Sequence, residues 1–222
     1  MGTGEEGALT DLVQFRVEHP DGERNRWTAA FRPILAIPHA ILVAGPLIGF
    51  RPRWARAGVL GMVALVCAAL DWFAIVFTGR SLEGLLYFKR LYLGWRARYL
   101  AYLWLLRDEY PPFGDAPYPA WVELPDEPEP RDRASVGLRI FLLFPHLVVL
   151  LGLQIAQVFV WIAAWCSIVF TRRLGDTLWR FSRDVAHYNM RVESYALLIH
   201  DRFPSFSLSA ERAAAPASEQ HA

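Results

Sequence analysis

Two histidines, His39 and His146, each follow a proline inside an apolar stretch, and one acid, Asp71, sits well within another. Neutral imidazoles can ligate a haem or another metal, and an acid at membrane depth can carry a proton, so these three are the candidate intramembrane polar residues. A charge there costs at least about 2.5 to 3.5 kcal/mol, so Asp71 must be protonated, paired or facing water. Each has a plainer alternative. The histidines can satisfy carbonyls freed by proline kinks, and Asp71 can bond Trp72 or a neighbouring helix. No carboxylate or cysteine accompanies either histidine at ligand spacing, so neither metal nor cofactor is expected. Cys67 and Cys166 lie in apolar runs and read as buried thiols.

Four arginines, Arg90, Arg98, Arg183 and Arg191, are candidates for lipid-headgroup recognition, since a basic side chain near an anionic leaflet contributes on the order of 1 kcal/mol. The alternative is anchoring, or pairing with Asp108 and Asp201. Phosphate loops, nucleophile elbows and His-Glu-x-x-His are absent from the sequence, and no catalytic residue is assigned; an enzyme is not expected. The 23 basic and 22 acidic residues nearly cancel, which argues against a nucleic-acid partner. Lys89 is the one lysine among the basic residues; with abundant alanine this suggests a GC-rich bacterial source.

The elements that must hold these residues are mostly apolar. The chain has 222 residues, 54% of them hydrophobic. Phe31 to Phe50, broken by Pro33, Pro38 and Pro46, and Ala57 to Thr78 are each about the length of a bilayer span. Val136 to Thr171 would be roughly 50 Å long as one helix, well beyond a hydrocarbon core of about 30 Å. It is expected either to fold back as a hairpin, turning near Gly152 to Gln157, or to tilt steeply; the repeat favours the hairpin.

That repeat is ungapped over its main window. Trp72-Phe-Ala-Ile-Val-Phe-Thr-Gly-Arg80 lies over Trp165-Cys-Ser-Ile-Val-Phe-Thr-Arg-Arg173. In the same register Phe88 meets Phe181, Arg90 Arg183, Arg98 Arg191, Tyr102 Tyr195, Asp108 Asp201, Pro111 Pro204 and Phe113 Phe206. Upstream, Arg32-Pro-Ile-Leu-Ala-Ile-Pro-His39 matches Arg139-Ile-Phe-Leu-Leu-Phe-Pro-His146 after an insertion in the first copy around Gly45 to Arg56.

Two hairpins leave only Arg51, Arg53 and Arg56 outside, which satisfies the positive-inside rule and puts both termini in the cytoplasm; no secretory signal peptide is evident at the start. After each hairpin comes an amphipathic segment. In the second copy Asp176, Arg180, Arg183, His187, Arg191 and Ser194 form one polar stripe, suited to an interfacial helix. Pro-Pro and Pro-Ser then stop the helices. Gly114 to Arg133 is acidic and proline-rich, the composition of a linker without a core, and the tail past Ser209 reads as disordered. Val13 to Val17 and Trp121 to Leu124 alternate like short strands.

The Pro-His entry, the Trp-x5-Thr-[Gly/Arg]-Arg hairpin end and the closing Arg-x7-Arg-x3-Tyr-x5-Asp-x-[Tyr/Phe]-Pro-x-Phe resemble the bacterial membrane family catalogued as domain of unknown function 4389, here in two tandem copies from about Phe15 to Phe206. The resemblance implies a membrane protein and supplies no catalytic residues. Thr-Arg-Arg and Pro-Ser-Phe in the second copy depart from the pattern.

The expected fold is therefore an all-α integral membrane protein of two tandem pseudo-repeats, each a transmembrane helical hairpin plus an interfacial amphipathic helix. Its parts are residues 1–26, a cytoplasmic segment; 27–113, the first repeat; 114–133, the linker; 134–206, the second repeat; and 207–222, the tail. The expected role is a non-enzymatic scaffold or accessory subunit in the bacterial inner membrane, with the lipid bilayer and a membrane protein or a second copy as partners. The alternative is a small transporter or lipid-handling protein using Asp71, His39 and His146.

Overall fold

The computed structural model describes residues 13–20, 22–44, 58–114, 116–126 and 130–208. In chain order these form β1 (Gln14–Val17), α1 (Arg26–Ala30), α2 (Arg32–Leu35), α3 (Ile37–Val43), α4 (Val59–Thr78), α5 (Glu83–Leu103), β2 (Ala120–Glu123), α6 (Arg133–Gly137), α7 (Arg139–Thr171) and α8 (Asp176–Ala196). The fold is mostly helical, and α4 and α7 are long and apolar enough to cross a membrane.

The second-copy hairpin does not form. Helix α7 runs unbroken from Arg139 to Thr171 through Gly152 and Gln157. One glycine in a helix interior costs only about 1 kcal/mol, and no turn-forming cluster accompanies it. Gln157 instead faces α8, where its Nε2 donates to Ser182 Oγ at 3.0 Å. In the first copy the same path is made by α3 and α4, whose ends abut: Gly58 N donates to Ala44 O at 2.7 Å. A Cβ on Gly58 would lie 2.4 Å from Leu42 C and O, so this junction admits only glycine. The insertion at Gly45 to Arg56 lies outside the described residues, as does the tail from residue 209.

The amphipathic helices are not interfacial along their whole length. From Val185 to Tyr195 every residue of α8 is buried, including His187, Arg191 and Ser194 of the polar stripe, while Asp176 and Arg180 stay exposed. The stripe turns inward because partners in the chain meet it. The segment between the repeats also differs from a plain linker. It contains β2, whose Ala120 is buried in the main core, and β2 pairs antiparallel with β1.

The ribbon fixes how the repeats relate. Carrying the Arg32/Arg139 register upstream sets Phe15 against Val122, and these two residues are paired in the ribbon. Arg16 pairs with Trp121 and Gln14 with Glu123, which exchange under the same correspondence. An antiparallel pair has a local two-fold axis perpendicular to it, so a pseudo-dyad passes through Phe15 and Val122. The exchange extends through the body. Arg24 N donates to Arg172 O and Arg131 N to Gly79 O, both at 2.9 Å, so the start of each repeat seals the end of the other's long helix. Gly79 and Arg172 hold the same left-handed C-cap, at φ 75° and 58°. The glycine's conformation thus survives in Thr-Arg-Arg, at a cost of roughly 1 kcal/mol for the side chain.

Three layers result. The ribbon covers α5 and α8 crosswise, β2 on α5 and β1 on α8, and these helices in turn carry α4 and α7. At the centre Glu193 of α8 accepts Tyr92 Oη at 2.8 Å and Arg96 Nε at 3.0 Å from α5, both buried. Trp72 Nε1 reaches Val136 O, and Trp161 Nε1 reaches Leu103 O, at 2.9 and 2.8 Å, two further bonds between repeats.

Candidate functional site

Each repeat closes on an arginine–aspartate clasp. Asn25 and Asp132 cap the short helices α1 and α6, their side-chain oxygens accepting from the backbone amides of the second and third residues of each helix. This places the residue just before each cap, Arg24 or Arg131, against the carboxylate that follows α5 or α8. Arg24 donates to both oxygens of Asp108, from Nε at 2.8 Å and Nη2 at 2.9 Å, and Arg32 Nη2 adds a third bond at 2.8 Å. The second clasp repeats this: Arg131 Nε and Nη2 meet Asp201 at 2.9 and 2.7 Å, and Arg139 Nη2 at 2.9 Å. The backbone amides of Asn25 and Asp132 complete the two carboxylates at 3.2 and 3.0 Å.

The remaining guanidinium donors fasten the helix ends. Arg32 Nη1 donates to Tyr102 O at 2.9 Å and Arg107 O at 2.5 Å; Arg139 Nη1 donates to Tyr195 O and His200 O at 2.9 and 2.8 Å. The same guanidinium groups lie 4.1 and 3.8 Å from the Tyr102 and Tyr195 ring centres. Leu105 and Leu198 hold the left-handed position after α5 and α8, at φ 62° and 58°, and Arg24 and Arg131 bond their carbonyls at 2.7 and 3.2 Å. Burial of both leucine side chains offsets that backbone strain. Burial alone pushes the Asp108 carboxyl up, but its bond to Arg24 and the charges of Arg24 and Arg32 outweigh this and hold it below the usual carboxylate value. Asp201 is lowered likewise, with Arg131, the Asp132 amide and Arg139 overcoming its desolvation.

The repeat-closing motif thus works from the inside. Phe113 stacks on His39 and Phe206 on His146, each with ring centroids 4.3 Å apart, and Pro111 and Pro204 are buried beside them. His39 Nδ1 accepts Trp95 Nε1 at 3.0 Å; His146 Nδ1 pairs with Tyr188 Oη at 2.8 Å. Each histidine is enclosed by aromatics of its own repeat. Asp71 lies elsewhere, fully buried, accepting Lys89 Nζ and Ser81 Oγ, both at 2.6 Å, and Leu82 N at 2.8 Å. The three candidate intramembrane residues therefore do not assemble into one site.

The four candidate headgroup arginines divide. Arg98 donates to the carbonyls of Gly114 and Ala116, and Arg191 to Ser205 Oγ and Ser207 O, so both tie down the strap after the closing motif and are buried. Arg90 holds Pro125 O and Asp126 of the inter-repeat segment, and Arg183 pairs with Asp184 over the Trp179 ring. The carboxylates Asp108 and Asp201 take other partners, Arg24, Arg32, Arg131 and Arg139. Their signal was present in the sequence, as Arg-x7-Arg-x5-Pro-His in both copies, but a gapless register through the later motif did not reach it.

No curated protein and no solved structure matches the chain. The family described as Domain of unknown function (DUF4389) matches residues 52–114 and 133–207, which take in both closing motifs, Asp108 and Asp201, while Arg24 and Arg32 precede the first match. The chain belongs to this family, in two tandem copies.

Proposed function

We propose that the chain is a membrane-embedded, non-enzymatic scaffold or accessory subunit of the bacterial inner membrane. One observation carries this reading: both repeats expose large apolar side chains at equivalent positions. Phe31, Ile34, Ile37, Ile41, Met62, Val66 and Phe77 correspond to Leu138, Phe141, Phe144, Val148, Ile155, Phe159 and Phe170, and all are exposed. A patch this extensive on a water-soluble surface would drive association. The clasps, the stacked histidines and the strap arginines are spent on internal bonds, which supports a role in holding geometry. Asp71 is paired with Lys89, which favours a structural part for it over a proton-carrying one.

Two measurements test the reading. The chain is expected to stay in the membrane pellet after alkaline carbonate washing, and to bring a stoichiometric protein partner or a second copy through mild-detergent purification. Release by carbonate refutes the membrane reading. A chain that emerges alone and monomeric under several detergents refutes the scaffold.

A further inference from the structure

Resting on the membrane reading, we infer that the chain does not stand across the bilayer but lies flat on it, with α4 and α7 in the membrane plane, embedded in one leaflet, and the pseudo-dyad along the membrane normal. The surface that meets lipid is the shared apolar face of α1 to α4 and of α7.

Direction is the first argument. The path from α2 to α4 starts at the Asp108 clasp, through Arg32, and ends at Gly79, bonded to Arg131 of the Asp201 clasp. Helix α7 starts at the Asp201 clasp, through Arg139, and ends at Arg172, bonded to Arg24 of the Asp108 clasp. The two long helices therefore run in opposite directions between the same two ends. If they crossed the bilayer, the pseudo-dyad would lie in the membrane plane, one clasp would sit on each side, and the ribbon would stand at mid-depth with Arg16, Trp121 and Glu123 facing lipid. With the dyad along the normal, the ribbon is held in water above both long helices.

The helices between ribbon and lipid give the second argument. Helix α8 runs antiparallel against α7, His146 meeting Tyr188 and Gln157 meeting Ser182. A crossing α7 would carry α8 across with it, including Arg191, Glu193, His187 and Asn189, and intramembrane ionisable groups are costly. Lying flat keeps them in the protein body. It also removes the length conflict: 33 residues are about 50 Å of helix, too long for a core of about 30 Å, whereas an in-plane helix has no such limit.

Chemistry identifies the occupant as lipid rather than a protein surface. Equivalent exposed positions keep their apolarity but not their shape: Ile34 against Phe141, Met62 against Ile155, Val66 against Phe159. Fluid acyl chains accept that exchange, while a close-packed protein interface does not. Exposed arginines stand at both ends, Arg80 and Arg133 at one and Arg172 and Arg173 at the other, and lying flat brings all of them to headgroup level on the same side.

The test uses the full chain, made cysteine-free and given single cysteines, in cells and in reconstituted vesicles of phosphatidylethanolamine with phosphatidylglycerol. Arg80→Cys and Arg173→Cys, at the ends of α4 and α7, are expected to label from the same side; labelling from opposite sides overturns the proposal. Spin labels at Ile34, Met62, Val66, Phe141, Val148, Ile155 and Phe159 give a second readout, with oxygen and nickel-chelate collisions reporting depth. A flat profile along each helix supports the in-plane arrangement, and a profile deepest mid-helix and shallow at both ends refutes it. Failure of the protein to partition into vesicles at all refutes the membrane reading itself, a separate outcome.

Discussion

Replacing Asp201 by asparagine tests whether the clasp holds the second repeat together. The carboxylate accepts four bonds, two from Arg131, one from Arg139 and one from the Asp132 amide. An amide of the same shape offers one acceptor oxygen. If that oxygen occupies the Oδ1 position, the new NH2 faces Arg131 Nε and Asp132 N, two donors, so two bonds become repulsive contacts. The larger loss is charge. The Arg131 and Arg139 side chains are only 1% and 2% exposed, and two cations are left without their counter-ion. Breaking a buried pair by removing one partner costs about 3 to 5 kcal/mol, a large share of a total stability of about 5 to 15 kcal/mol. At roughly 2 to 4 °C per kcal/mol for a chain of this size, the transition of the detergent-solubilised protein, followed by tryptophan fluorescence, is expected to fall by about 6 to 20 °C. Asp126→Asn is the control, since that carboxylate is 96% exposed and its bond to Arg90 is worth at most about 1 kcal/mol. A loss for Asp201→Asn no larger than for the control would refute the reasoning.

Further expectations follow from the same contacts. Because Asp108 and Asp201 are held below their unfolded value of about 3.9, their stabilisation is complete above that pH and is lost as pH falls through the lower folded values. Unfolding measured from pH 6 downward should therefore show an acid limb, which Asp108→Asn with Asp201→Asn flattens while lowering stability at neutral pH. Asp71→Ala should destabilise by several kcal/mol, as it strands a buried lysine, but adding Lys89→Ser, which gives the combination found at Ala164 and Ser182 in the second copy, should recover part of the loss; a double variant no better than the single one counts against the pair as a unit. Arg172→Gly should raise stability by about 1 kcal/mol by relieving the left-handed C-cap, since its exposed contact with Glu23 at 3.3 Å contributes little. An unchanged or lowered transition in chemical denaturation would speak against that account.

The repeat, the closing motifs and the two short strands are legible in the sequence because each depends on local pattern, aligned identities and alternation; the helix stops are not, since α5 ends at Leu103 and α8 at Ala196, just before the left-handed Leu105 and Leu198 and well short of Pro111 and Pro204. Where those patterns face is not legible either. Arg98, Arg191 and His187 sit at helical spacing that reads as a solvated stripe, and only the strap after Pro204 and the partner helices make that stripe an interior one. For Val136 to Thr171, length alone leaves a hairpin or a steep tilt, and the repeat favours the hairpin; nothing local at Gly152 asks for a turn, and the helix continues. The clasps are not legible because their halves lie far apart in sequence, Arg24 meeting Asp108 where α1 packs on α7 and Arg24 N bonds Arg172 O.

The two copies share a framework and differ in what it carries. Both keep the capped short helix, the two arginines on one aspartate, the left-handed leucine and the histidine stacked on phenylalanine. These join each repeat's beginning to its end, and the reciprocal bonds from Arg24 and Arg131 join the repeats to one another, so neither half can lose them alone. Asp71 and Lys89 are different: both are replaced together, by Ala164 and Ser182, and Gln157 then supplies the bond that Ser182 needs. Joint replacement is what a buried ion pair demands, since either charge alone would be stranded. A feature that one copy discards whole is not required by the fold. The same holds at the centre, where Tyr92, Arg96 and Glu193 stand against Val185, Asn189 and Leu100, so the two-fold body is held by its clasps and is free to differ in the buried polar groups between them.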